Sequence, residues 1–229
     1  MNWSPHWPAS AKTLTLVQGT SSLRTPSSSG PRPRLYRPRL PLSLSDSSPV
    51  PVLLYSVPAF TGLSFPPALA AALAAHPRIL GMKESSGDLS LLGRIIAAVP
   101  SSFEVACGNA PVLYPALCIG ANAGILATSC CAPGPTSALY RAFVAGDHAR
   151  ARRLQDALTP LALAVTVTHG VAGLKVAIDL AGLRGGHVRA PLLPAPEAVR
   201  GELAGLLARA EEAARDLSGN ERPPGAPAA

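Results

Sequence analysis

Aromatic residues are scarce in this chain, at 4% of 229 residues. A core must therefore be assembled from aliphatic side chains, and apolar residues as a whole supply 48% of the sequence. Acidic residues are absent from one region: no Asp or Glu precedes Asp46, whereas Lys12, Arg24, Arg32, Arg34, Arg37 and Arg39 do. Six of the seven excess positive charges thus belong to the leading segment, and the remainder is nearly balanced. A basic chain ordinarily raises nucleic acid as a partner. The balanced remainder has no lysine-rich face interleaved with aromatics, so no nucleic-acid partner is expected. Cys107, Cys118, Cys130 and Cys131 stand in no CxxC or Cys/His ligand spacing, which argues against a metal site. The adjacent pair Cys130–Cys131 is poor disulfide material, and buried reduced thiols of an intracellular protein are expected. Residues 112–133 are long enough to suggest a membrane span, but Asn122, prolines and turn-spaced glycines interrupt them. A buried helix followed by a strand fits better, and no transmembrane helix is expected.

What is present falls into three parts. Residues 1–48 are rich in Ser, Pro and Arg (SSLRTPSSSGPRPRLYRPRLP), and proline at that density forbids a regular helix. That leader is expected to be disordered, or only locally extended. Its Arg/Ser content without acid suits a mitochondrial presequence, while its prolines spoil the amphipathic helix of one; cytoplasmic residence is the alternative. Residues 49–217 alternate short apolar runs with alanine-rich helical segments. VPVLLYSV, RILGMK, FEVACG and AGILAT read as strands; PPALAAALAAH, DLSLLGRIIAAV and APVLYPALCIG read as the helices between them. Asp88 is a plausible N-cap of the second helix. Strands that are apolar on both faces and separated by helices predict a covered parallel sheet. Beyond residue 132 the pattern is helical throughout, and a disordered tail is expected over 218–229. The fold class is α/β: four βα units with a helical tail, as in half of a (β/α)8 barrel or in a small open sheet.

In such folds, functional groups gather where parallel strands end. Tyr55 ends the first predicted strand, Lys83 the second, and Gly108 the third, followed by Asn109. A lysine there is expensive unless it is neutralised or used. Desolvation favours the free amine, which can attack a carbonyl, and a neighbouring phenol can relay protons. Spacing alone also fits a snorkelling edge lysine. Tyr114 and Tyr140 fall in helical settings and read as packing residues. His76, His169 and Lys175 read as helix-end, surface and helix-face groups respectively.

YSVPAFTG, GMKESSGD, VACGNAPVLYPALCIGANAGILA and GVAGLKVAIDLAGLRGGHVRAPLLP occur here in this order. Together they resemble the class I aldolase family of dihydrodipicolinate synthases and N-acetylneuraminate lyases, most closely its mitochondrial 4-hydroxy-2-oxoglutarate aldolase branch. The resemblance runs from about Ser48 to about Leu217. It implies that Lys83 forms the Schiff base, that Tyr55 relays protons, and that Ser85 and Gly108 contact substrate. It further implies a small 2-oxo acid substrate, retro-aldol cleavage of 4-hydroxy-2-oxoglutarate to pyruvate and glyoxylate, no cofactor or metal, and a homo-oligomer. Phe60 replaces the arginine usual in the synthases, and Ser56 replaces a frequent asparagine. The family has four further βα units before the YSVP strand, including a carboxylate-binding loop that residues 1–48 do not match. The expectation is therefore a partial barrel, strands 5–8 with their helices. Two alternatives accompany it: another pyruvate-dependent aldolase of the family, or an inactive fragment that acts by association with full-length subunits.

Overall fold

The computed structural model describes residues 15–18, 43 and 45–216. The expected tail, and most of the leader expected to be disordered, lie outside these residues. Five parallel strands form one sheet in sequence order: β1 (Thr15–Gln18), β2 (Val52–Ser56), β3 (Ile79–Glu84), β4 (Glu104–Cys107) and β5 (Ala123–Gly124). Two strands differ from the sequence reading. β1 lies inside the leader and pairs with β2 from Thr15↔Val52 to Gln18↔Tyr55. Its TLVQ run has β-forming residues but is too short to stand out among Pro, Ser and Arg. The run read as a final strand, AGILAT, contributes only Ala123–Gly124 before the chain turns into a 3-10 segment at Ala127–Cys130.

Two compact units divide after Ile125. In the first, Val52, Leu54 and Met82 are fully buried on β2 and β3. Burying each such side chain contributes about 1.5–3 kcal/mol. The helices Pro67–Ala74, Leu89–Ala98 and Leu113–Cys118 follow β2, β3 and β4 in turn and bury Leu73, Ile95 and Ala116. Asp88 caps the second of them as expected, its Oδ1 accepting from the Leu91 amide at 2.9 Å. Gly81 has a packing reason to be glycine: a Cβ there would overlap Glu104 O and sit 2.8 Å from Glu104 Cβ. β3 and β4 approach closely at that point because no side chain intervenes. The repeated βα units on a parallel sheet are the arrangement of part of a (β/α)8 barrel.

The second unit carries the helices Pro133–Val144, His148–Leu163, Gly170–Leu180 and Ala198–Asp216. Leu139, Leu154, Leu161 and Leu203 form its fully buried centre. Pro160 lies inside the second helix, which gives way to a π-helical turn at Ala164–Thr168. Lys175 is more than a helix-face charge: its ammonium donates to Gly185 O at 2.5 Å, and Asp179 Oδ1 accepts from the Gly185 amide at 2.7 Å. The two bonds fix the GLRGG turn. His169 lies 3.0 Å from Glu202 through Nε2. No helix among the described residues is long and apolar enough to cross a membrane.

Candidate active site

The carboxyl ends of β2, β3 and β4 bring the sequence-predicted residues together. The register pairs Tyr55 with Lys83 and Ser56 with Glu84. Side chains alternate across a strand, so Tyr55 and Lys83 share one face while Ser56 and Glu84 share the other. Lys83 Nζ stands 4.2 Å from the centroid of the Tyr55 ring, within range of a cation–π interaction. Both residues are half-buried.

Ser85 and Gly108 complete that face. The Ser85 amide donates to Ser56 O at 2.9 Å, and the Gly108 amide donates to Glu84 O at 2.6 Å. These bonds carry the sheet pairing one residue past the strand ends. A Cβ at Gly108 would overlap Ser85 Oγ and come within 2.7 Å of Lys83 Cε. Glycine is thus what lets the serine hydroxyl and the lysine stem occupy the same small volume. Ser85 Oγ and Asn109 Oδ1 are buried and have no hydrogen-bond partner among the described residues. Such groups are costly when unsatisfied, and at a strand end they mark where a polar ligand atom can be received.

The opposite face is saturated. The buried Glu84 carboxyl accepts from Ser56 Oγ at 3.4 Å through Oε1 and from Ser86 Oγ at 2.8 Å through Oε2. The Ser86 amide reaches both oxygens, at 3.0 and 3.1 Å. Burial pushes this carboxyl above its usual range; the Ser86 and Ser56 bonds pull it back, and the Asp88 charge adds a smaller upward push. Cys107, next to Gly108, has its thiol pushed up to about 11 by burial and donates to Asn109 O at 3.2 Å. Burial disfavours its thiolate, so Cys107 reads as a packing thiol.

Sequence reasoning missed Glu84. A signal was available: Ser56 and Glu84 repeat the 28-residue offset of Tyr55 and Lys83, so the same register places them side by side. Phe60, which stands where the synthases usually have an arginine, is 82% exposed in the helical turn Pro58–Thr61.

A parallel α/β sheet with an amine and a phenol adjoining at its strand ends is the arrangement of part of a (β/α)8 barrel, with a candidate site where the strands end. The chain belongs to the dihydrodipicolinate synthetase family, whose model matches residues 44–210. It is 37% identical over 152 residues to a 4-hydroxy-tetrahydrodipicolinate synthase of an Exiguobacterium species, covering 66% of this chain and 52% of that protein. It is 38% identical over 159 residues to the synthase of that name from Methanoculleus marisnigri, covering 69% of this chain and 55% of the other. Among solved structures, YagE of E. coli K12 is similar with a TM-score of 0.70 and 30% identity, over 76% of this chain and 60% of that one. YagE is a prophage protein of the dihydrodipicolinic acid synthase family, solved in complex with pyruvate. The chain spans about half the length of the curated relatives it matches.

Proposed function

We propose that this chain is a Schiff-base-forming carbon–carbon lyase that cleaves 4-hydroxy-2-oxoglutarate to pyruvate and glyoxylate. The observation that carries the reading is Lys83, half-buried at the end of β3 with its amine 4.2 Å from the Tyr55 ring. The Lys83 amine adds to the C2 carbonyl, and loss of water gives a protonated imine. Tyr55 gives its phenol proton to the departing carbinolamine hydroxyl, which leaves as water, and the resulting phenolate takes the proton of the C4 hydroxyl as the C3–C4 bond breaks. The bond's electron pair moves to the imine nitrogen, forming an enamine, while C4 leaves as the aldehyde of glyoxylate. Protonation of the enamine at C3 and hydrolysis of the imine then release pyruvate and restore the amine. Ser85 Oγ, buried and unpartnered beside the lysine, supplies a hydrogen bond to the bound oxo acid. The sequence of steps uses only protein groups and water.

A second reading rests on the names of the relatives: formation of 4-hydroxy-tetrahydrodipicolinate through the same pyruvate–lysine imine. Phe60 in place of an arginine favours the first reading. In both, the working form is a homo-oligomer; the Arg/Ser-rich leader suits entry into mitochondria, which import of a fluorescent fusion tests.

Borohydride reduction in the presence of pyruvate tests the shared step. Peptide mapping is expected to find a reduced pyruvate adduct on Lys83, and Lys83→Ala is expected to abolish it. Folded protein that gives no adduct overturns both readings. Where the adduct forms, release of glyoxylate from 4-hydroxy-2-oxoglutarate supports the cleavage reading. Synthesis of 4-hydroxy-tetrahydrodipicolinate without that cleavage replaces it with the second.

A further inference from the structure

The lysine face of β2 and β3 has a chemical task for its polar groups, whereas the proposed chemistry leaves Glu84 without one. Yet Glu84 is buried to 2% exposure, where a carboxyl is expensive to keep. An apolar residue there would carry no such desolvation cost, so the carboxyl has to be explained by what it bonds. What the carboxyl provides is connection. It reaches Ser56 on the neighbouring strand and both the amide and the hydroxyl of Ser86 in the following turn. Ser86 Oγ in turn accepts from the Asp88 amide at 3.0 Å, and Asp88 caps the Leu89–Ala98 helix. Ser85 stands between the two clamped residues, its hydroxyl sharing the small volume beside Gly108 with the Lys83 stem and having no hydrogen-bond partner among the described residues. Among the described residues nothing bonds that hydroxyl, so its placement depends on the backbone that Glu84 holds.

We infer that Glu84 is a positioning residue: from the far face of β3 it fixes the Ser85–Ser86 turn and thereby the serine hydroxyl beside Lys83. The consequence for catalysis rests on the Schiff-base reading. Glu84 lies on the opposite face of the strand from Lys83, so it touches no substrate and acts only through Ser85. An ordinary stabilising residue would lose stability when altered. Glu84 is expected to lose geometry without losing stability, because its ionised form opposes folding through desolvation.

Glu84→Gln keeps the volume and one acceptor oxygen, and it is compared with Ser85→Ala and the double variant. Three results are expected of Glu84→Gln at neutral pH: thermal unfolding no lower than wild type, amide exchange at Ser85 and Gly108 about tenfold faster, and pyruvate trapping about tenfold slower. Adding Ser85→Ala to it should slow trapping no further. Unchanged exchange at those two amides overturns the inference, as do trapping losses that multiply in the double variant. Wild-type protein that gives no adduct defeats the Schiff-base reading separately, and the exchange arm still decides whether Glu84 orders Ser85. Should Glu84→Gln fail to fold, Ser86→Ala removes one link of the clamp from the exposed side and is read in the same two assays.

Discussion

The two faces of the β2–β3 strand ends are built from neighbouring residues to opposite specifications. On one, Ser85 Oγ is buried with no hydrogen-bond partner among the described residues and shares the volume beside Gly108 with the Lys83 stem, while the Lys83 amine rests on a ring face. On the other, the Glu84 carboxyl takes bonds from Ser56 and Ser86 until both oxygens are occupied. A buried polar atom that is satisfied contributes to a fixed structure, whereas one left open costs free energy until something fills it. Under the proposed Schiff-base reading, the contrast separates a receiving surface from its scaffold within a two-residue stretch of strand. Saturation behind is what makes openness in front tolerable, because an under-bonded turn would otherwise relax to satisfy Ser85 itself.

Gly108→Ala is the sharpest way to break the contrast. The new methyl overlaps Ser85 Oγ, sits 2.7 Å from Lys83 Cε and 2.9 Å from Ser85 Cβ; the first two atoms can swing away, and a small backbone shift at the strand ends takes up the third. The fold should survive while the receiving surface is displaced. A misplacement of about 1 Å at reacting groups costs on the order of a hundredfold in rate, so trapping of pyruvate should fall by about that factor. Circular dichroism and the unfolding temperature should stay close to wild type. A variant that traps normally would show that Ser85 and Lys83 do not need to share that volume.

Much of this arrangement was legible in the sequence. Apolar runs marked β2, β3 and β4, and Asp88 marked a helix start, because those signals are local: hydrophobic content, and a short acid just before a helix. The meeting of Tyr55 with Lys83 followed from two strands of a parallel sheet ending in chemically suitable residues. β1 was not legible, since Thr15–Gln18 is defined by backbone pairing to β2 and sits in a Pro/Ser/Arg-rich context. β5 was overestimated because the apolar run AGILAT continues beyond the bonds that define the strand. Its last link is the Ile125 amide to Cys107 O at 2.9 Å. Glu84 was overlooked for a different reason. An acid after a lysine reads as a surface pair, and only the register with Ser56 reveals that it points inward.

A second test acts on the saturated face through pH. Burial raises the Glu84 pKa, so the folded state holds this proton more tightly than the unfolded chain does. Its contribution to stability is therefore fully present below the ordinary carboxylate pKa of 4.5 and is lost as pH rises through the raised folded value. Relative to wild type, Glu84→Gln should gain stability across that window and hold the gain at neutral pH, as read by denaturant midpoints at several pH values. A difference independent of pH would mean that Glu84 is not desolvated as its burial indicates. Trapping should run the other way, with the variant poorer at neutral pH, which separates the stability of the fold from the geometry of the site.

The smallest effect distinguishes two helix caps of the same chemistry. Asp88 accepts from the Leu91 amide at 2.9 Å, and Asp147 accepts from the Arg150 amide at 2.9 Å. Replacing either aspartate with alanine should cost about 1 kcal/mol of the stability of the unit that holds it. Beyond that the two diverge. Asp88 ends the chain of contacts that begins at Glu84, since its amide donates to Ser86 Oγ, whereas Asp147 starts a helix of the second unit. Asp88→Ala should therefore slow pyruvate trapping as well as lower the denaturant midpoint, by loosening the turn that carries Ser85. Asp147→Ala should lower the midpoint alone. Equal trapping in the two variants would confine the control of Ser85 to the Glu84–Ser86 contact and exclude the helix behind it.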